Sequence, residues 1–272
     1  ITQIVYLNFK EYAVVNSTVE LAKNKNIKVN SGFVNAVLKK VCKDKVSLKD
    51  TKIKFIDFPK WFTNQVNYIS QEDQNFFISS IVEKPNLHLV FKENISKIFE
   101  TLNTIKTSEK SMVLLENSEI KNIPEYESGN WWVQDYSAML PLYLTKKIHN
   151  KKIIDMCAAP GGKLFQSLSE NANVDIVEIS KKRAELLRLN LDRLKYNNKI
   201  MLRDALEIPD DEKYDFVLID APCSSVGTIR RHPEIFFRTQ EPDLQLLLKK
   251  QNNLINKGKK ILKKGGTMIY MV

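Results

Sequence analysis

The sequence predicts an α/β fold in its second half, a parallel doubly wound sheet, with a helical region in front of it. Three observations carry this. After Gly129, short apolar runs alternate with amphipathic helical stretches, the pattern of parallel strands joined by right-handed crossovers. A turn of Ala, Pro and Gly follows directly on the apolar run Ile153–Met156. A second polar loop, Asp220 to Glu234, follows directly on Phe216–Asp220. Two such loops at strand ends open onto one cleft.

From Ile1 to about Asp50, apolar residues recur three and four apart in VVNSTVELAKN and GFVNAVLKKVC, which predicts two helices. Ser31-Gly32 reads as the start of the second, with Phe33 and Cys42 as core positions. Pro59 suits a helix opening, where a missing N–H costs nothing. PKWFTNQVNYI and EDQNFFISSIVEK therefore read as two helices, the second stopped by Pro85. NLHLVFK alternates like a strand, and ISKIFETLNTI returns to helical spacing. Trp61 is expected in a core or as an interdomain anchor.

In the last region, strands are expected at Ile153–Met156, Val174–Ile179, Ile200–Arg203, Phe216–Asp220 and Thr267–Val272. Helices are expected from Leu164, over SKKRAELLRLNLDRLKY and over EPDLQLLLKKQNNLINKGKKIL. Trp131 and Trp132 lead into the first strand; packing is expected of them, with base stacking as the alternative.

A chain of 272 residues, 43% hydrophobic, has room for two domains. No apolar run approaches the ~18 residues that span a membrane. No charged-then-apolar leader opens the chain. Cys42, Cys157 and Cys223 are an odd count without disulfide spacing, so a reducing cytoplasmic location is expected. His88, His149 and His232 are far apart, and no metal is expected. The net charge of +10 fits attraction to a phosphate backbone, although lysine-rich solvated surfaces are common. Every arginine lies at or after Arg183, and Arg230 and Arg231 lie in the second loop.

Gly161 and Gly162 lack Cβ atoms, so a ligand can approach the unpaired amides at the following helix start. DMCAAPGGK and DAPCSSVGT resemble the cofactor and catalytic loops of the Sun/Fmu (RsmB-like) family of RNA cytosine-5 methyltransferases. Gln134-Asp135 with Ser137-Ala138 resemble the segment that precedes them in the family, and SGFVNAVLKKV is similar to the last helices of a NusB-like RNA-binding domain. The resemblance implies three parts: a partial NusB-like helical domain over 1–57, a small α/β connecting segment over 58–128, and a Rossmann-like class I methyltransferase sheet over 129–272. It implies that the sheet is C-terminally incomplete, with two more strands to follow. The family's nucleophilic cysteine is then expected directly after Val272. Where relatives read Leu-Arg-Val-Asn, this chain has Leu89, Val90, Phe91 and Lys92, so an RNA contact there is not carried over.

The family's reaction is methyl transfer from S-adenosylmethionine to carbon 5 of a cytosine, here expected in small-subunit ribosomal RNA. Transfer RNA is an alternative substrate, and a non-catalytic RNA-binding relative an alternative function. Carbon 5 becomes nucleophilic only after a thiolate adds to carbon 6, while N3 takes a proton or strong hydrogen bond. The resemblance implies Asp220 for N3 and Cys223 for product release. With no later cysteine in the sequence, Cys223 as nucleophile stays open. For the cofactor it implies the loop Cys157, Ala158, Ala159, Pro160, Gly161, Gly162 and Lys163, with Glu178 on the ribose, Asp204 on the adenine, and Asp220 nearby. Lys163 contacts the methionine carboxylate or the catalytic loop. Arg183 is a cofactor contact or a helix-surface charge. Arg230, Arg231 and His232 are expected on RNA phosphates near a flipped base, with an ion pair as the plain alternative for Arg231. A monomer is expected.

Overall fold

The computed structural model describes residues 1–7, 9–24, 29–83, 85–116, 119–145, 147–237 and 240–272. The chain forms two compact units, Ile1–Ser79 and Ser80–Val272.

The first unit is helical. It contains α1 (Thr2–Val5), α2 (Glu11–Ala22), α3 (Ser31–Lys43), α4 (Lys45–Lys49), α5 (Lys60–Gln65) and the start of α6 (Gln71–Val82). The N-cap of α3 is Asn30, one residue before the expected start, whose side chain accepts from the Phe33 amide at 3.0 Å. Val34, Leu38, Val41 and Cys42 form one stripe on α3, packed on Ile4, Val5 and Val14. Phe33 corrects the sequence reading: it lies off that stripe and is 66% exposed. Helix α5 stops at Gln65, earlier than PKWFTNQVNYI implied. Phe62 stacks on Phe77 at 5.3 Å, and Trp61 meets Phe62 edge-on at 6.0 Å, so Trp61 packs as expected. Lys84, the last residue of the expected EDQNFFISSIVEK helix, lies outside the described residues.

The second unit carries two sheets. The smaller is antiparallel, ordered β2-β3-β1-β4, from β1 (Leu87–Phe91), β2 (Thr104–Ser108), β3 (Ser111–Leu114) and β4 (Trp131–Val133). Here ISKIFETLNTI is not a helix. Lys97–Thr101 is a short 3₁₀ turn, and Thr104 and Ile105 pair with Leu114 and Val113. An isolated helix of that length is marginal, whereas β-branched residues on a hairpin gain a full ladder. Phe99 is buried, edge-on to Phe91 at 4.9 Å. Strand β4 has two burial faces: Trp131 joins the small core with Leu89, Phe91 and Met112, and Trp132 joins the large core with Phe165 and Leu187. Both tryptophans pack; neither is a stacking platform.

The larger sheet follows α7 (Tyr136–Thr145) and runs β7-β6-β5-β8-β9, all parallel. Its elements in order are β5 (Lys152–Asp155), α8 (Gly162–Ser169), β6 (Asn173–Glu178), α9 (Lys181–Arg193), β7 (Ile200–Leu202), β8 (Tyr214–Asp220), α10 (Leu244–Ile261) and β9 (Leu262–Met271). All five expected strands are present, within a few residues of their expected bounds. Ser180 caps α9 through the Arg183 amide, and Asp243 caps α10 through the Leu246 amide at 2.9 Å. Ala184, Leu187 and Leu191 on α9 cover one face of the sheet; Leu254, Gly258 and Ile261 on α10 cover the other. Strand order reverses between β5 and β8, the point at which such sheets open a crevice at their carboxyl ends.

The two sheets meet at Arg193. Its guanidinium lies 4.5 Å from the Tyr126 ring centroid and 5.5 Å from that of Trp131, and it donates to the carbonyls of Tyr126 at 2.9 Å and Trp131 at 3.0 Å. Gly129, at φ 73°, sits against the Arg193 carbonyl with no room for a Cβ.

Candidate active site

Three adjacent strands end in a carboxylate: Asp155 on β5, Glu178 on β6 and Asp220 on β8. The glycine turn crosses above them. Gly161, at φ 118°, is the N-cap of α8, so the first amides of that helix face the crevice end of the sheet. The Ala159–Pro160 peptide is cis, and Asn190 on α9 donates to the Pro160 carbonyl at 3.0 Å. Below the turn lies a buried amide network. Gln134 accepts from the Trp132 indole at 2.8 Å and donates to Gln166 at 3.0 Å, which donates to the Met139 carbonyl at 2.9 Å. A Cβ at Gly162 would come within 3.2 Å of the Gln134 side chain.

Lys163 reaches across to β8, its Nζ 2.7 Å from Asp220 Oδ2. Asp220, where the second loop begins, is one of the two partners expected of it. Lys163 is nearly buried while Asp220 is 41% exposed, so the pair fixes Asp220 and leaves part of its carboxylate facing the crevice. Glu178 is buried and accepts from the Ser180 amide at 2.9 Å and the Ala159 amide at 3.4 Å. Arg183 bridges this corner: it donates to the Ala159 carbonyl and lies 3.6 Å from Glu178 Oε2. It is therefore more than a helix-surface charge. Asp204 follows β7 and caps the next turn through the Leu206 amide at 2.9 Å.

Asp155 was given no role by the sequence reading. Its carboxylate is buried, and burial pushes its pKa up to about 7; the Cys157 amide at 3.3 Å and Lys163 oppose the rise, while Asp220 and Glu178 add to it. The signal was available: an acidic residue closing an apolar strand is desolvated once the sheet is covered. A carboxyl raised from 3.8 to about 7 costs the folded state nothing below pH 4 and progressively more up to pH 7. Asp155→Asn, which keeps the oxygen facing Cys157, is thus expected to melt higher than the parent at pH 8, by up to about 4 kcal/mol. That gain should fade towards pH 4, and a gain independent of pH in thermal melts would contradict the assignment.

The cysteines divide by environment. Cys157 is partly enclosed, and burial together with Asp155 and Glu178 pushes its thiol up to about 12, which disfavours its thiolate. Cys223 is exposed on the catalytic loop, 4.0 Å from the Ser225 hydroxyl. Further along, Arg231 pairs with Asp135 at 2.5 Å, Arg230 Nε donates to the Ser80 carbonyl at 3.1 Å, and His232 lies 3.0 Å from Glu234. Burial disfavours the Asp135 charge, but the Ser137 hydroxyl and Arg231 outweigh it and hold that carboxyl below its ordinary range. The structure thus brings Lys163, Asp220, Glu178 and Arg183 to one crevice; Arg231 forms the ion pair considered for it. Among the described residues, no group of three or more His, Cys, Asp or Glu is placed to hold a metal, and no helix is long and apolar enough to cross a membrane.

Residues 142–272 match the family described as 16S rRNA methyltransferase RsmB/F, and residues 1–43 match the NusB family. Among curated proteins, the chain is 27% identical over 287 residues to ribosomal RNA small subunit methyltransferase B of Yersinia enterocolitica, covering 98% of this chain and 67% of that one. It is 27% identical over 293 residues to the probable enzyme of the same name from Coxiella burnetii, covering 98% and 68%. The chain thus spans about two thirds of the length of these relatives. Among solved structures it resembles NSun6 from Pyrococcus horikoshii with SFG, at TM-score 0.67 and 18% identity over 78% of this chain and 82% of that one. A methyltransferase homolog protein from Pyrococcus horikoshii aligns at TM-score 0.63 and 24% identity, covering 78% and 72%. These likenesses show the fold. With the two loops set at adjacent strand ends of such a sheet, the match of residues 142–272 to the RsmB/F methyltransferases is consistent with the Sun/Fmu resemblance, behind helices that match the NusB family.

Proposed function

We propose that this protein transfers the methyl group of S-adenosylmethionine to carbon 5 of a cytosine in small-subunit ribosomal RNA, in the cytoplasm. The observation that carries the reading is the Lys163–Asp220 pair, which joins the glycine turn to the Pro-Cys loop at the switch point of the sheet. A carboxyl group fixed there, donating in its protonated form, suits N3 of a cytosine. A Pro-Cys sequence behind it suits a thiol that works beside a covalent bond, rather than methylation of an exocyclic amine.

The donor set fits the cofactor. The amides at the start of α8 match a carboxylate, and Glu178 closes the neighbouring strand with acceptor oxygens for ribose hydroxyls. Arg183 lies 3.6 Å from that carboxylate. When bound, the cofactor supplies an electrophilic methyl group. Glu178→Ala is expected to weaken S-adenosylmethionine binding by about 1–3 kcal/mol. Glu178→Gln, which keeps one acceptor, should lose less. Equal affinity of parent and Glu178→Ala by calorimetry would remove the ribose role.

In the reaction a thiolate forms a bond to carbon 6 and the displaced π electrons charge N3, which takes a proton from Asp220 in its protonated form and returns it when the carbon–sulfur bond breaks. Carbon 5 then takes the methyl group, its proton leaves to a base, and the carbon–sulfur bond breaks. The resemblance implies release for Cys223 and, for the attacking thiol, the family's separate cysteine, expected directly after Val272. Asp220 pairs with Met271, and the Ala221 amide donates to the Met271 carbonyl at 3.0 Å, so that end of β9 lies beside the loop carrying Cys223. In protein carrying that cysteine, Cys223→Ala should accumulate a covalent RNA adduct on denaturing gels, and labelled methyl should appear as 5-methylcytidine in digested ribosomal RNA. Label in an N-methylated base would refute the carbon-5 reading. Loss of the adduct in Cys223→Ala would make Cys223 the nucleophile.

A further inference from the structure

A shallow cavity of about 210 Å³ opens where the end of the catalytic loop meets the small sheet. Three of its walls are apolar, from Pro85, Leu87 and Val133, and Asn86 stands beside them. The opposite end is charged, with Asp135, Arg230 and Arg231. His88 forms part of the floor. Both its ring nitrogens are already bonded, Nδ1 to the Gln134 carbonyl at 2.6 Å and Nε2 to the Thr107 hydroxyl at 2.8 Å, so it offers ring surface rather than a polar handle. None of the glycine-turn residues, Glu178 or Asp204 lines this space, which separates it from the cofactor corner.

We propose that this cavity seats one unpaired nucleotide of the substrate RNA, flanking the cytosine to be methylated, with its base against the apolar walls and its phosphate on Arg230. The inference rests on the RNA-substrate reading above and adds to it a second, built contact. Size argues for a single base: the space is smaller than the roughly 300–1,000 Å³ that enclose a drug-sized ligand. Chemistry argues the same way. Apolar walls with one cationic end match a base joined to a phosphate, and single-stranded RNA is held by surfaces that cover base faces and by guanidinium planes. Arg231 is held in place by Asp135 at 2.5 Å, so it contributes a fixed plane and little net charge. Arg230 is balanced by no carboxylate among the described residues, and its Nε bond to the Ser80 carbonyl fixes its direction. A cytosine extracted for reaction leaves its neighbours unstacked, and Arg230 and Arg231 of the cavity lie on the same loop as Cys223.

The test uses the whole chain, a single-stranded ten-nucleotide oligocytidylate and, as control, a fully paired RNA duplex. Val133 is 39% exposed on the edge strand β4, so Val133→Trp fills the cavity from outside the core. It should weaken binding of the single strand about tenfold, while duplex binding and S-adenosylmethionine affinity stay as in the parent. Equal single-strand affinity in Val133→Trp and parent would overturn the cavity's role and leave the RNA reading standing. A parent that binds neither RNA would overturn both. An independent measurement needs no variant: a 4-thiouridine-substituted oligonucleotide irradiated with the parent should label peptides containing residues 85–88 or 133–135. Labelling confined to other peptides would refute the proposal.

Discussion

Asp220→Asn is expected to lower the rate of methyl transfer by about 10²–10⁴-fold, the contribution of a positioned general acid or base, with little change in S-adenosylmethionine affinity. Asp220 closes β8 and is held 2.7 Å from Lys163. The substitution keeps the shape and a hydrogen-bonding group but removes the carboxyl that is proposed to exchange a proton at N3. The effect should appear in kcat under saturating RNA. Lys163→Met is expected to give a similar loss, because Asp220 then lacks the partner that fixes its position. The two substitutions act through one unit, so the double variant should be little worse than either single one. Turnover of Asp220→Asn near the parental rate would exclude Asp220 from the chemistry.

Gly161→Ala is expected to be the most damaging small substitution in the cofactor loop. At φ 118° a side chain is strained, and a Cβ there would overlap the Phe165 ring and approach Leu187 Cδ1 to 2.8 Å. Strain of about 1–3 kcal/mol adds to a similar overpacking cost, because Phe165 and Leu187 belong to the large core and have no room to retreat. The expected result is a loss of about 2–6 kcal/mol in denaturant unfolding, with cofactor binding abolished as the turn leaves the start of α8. Gly227→Ala is the control: no atom lies within 4 Å of a Cβ built there, and its stability should match the parent.

The parts of the fold that the sequence disclosed are those where local pattern and tertiary position agree. Buried parallel strands read as apolar runs, the helices between them keep one stripe, and the glycine turn and Pro-Cys loop mark the crevice. The failures have a common origin in contacts between distant residues. ISKIFETLNTI has helical spacing, yet Thr104 and Ile105 pair with β3. Phe33 is apolar, yet it misses the α3 stripe by one position. The raised pKa of Asp155 comes from the layers that cover β5 and from carboxylates on β6 and β8, none adjacent in sequence. Arg231 and Asp135 are 96 positions apart, so composition disclosed both charges and not their pairing.

Strand β4 has a consequence for how such a protein can change over generations. One tryptophan of the pair serves the small core and the next serves the large one, while Arg193 from α9 grips the backbone between them and their neighbour Tyr126. A substitution at either ring therefore perturbs both sheets, and compensation has to arise on both sides of the joint at once. Such a seam resists exchange of parts. The small sheet and the catalytic sheet are expected to be inherited as one block, whereas surface positions outside the joint are free to drift.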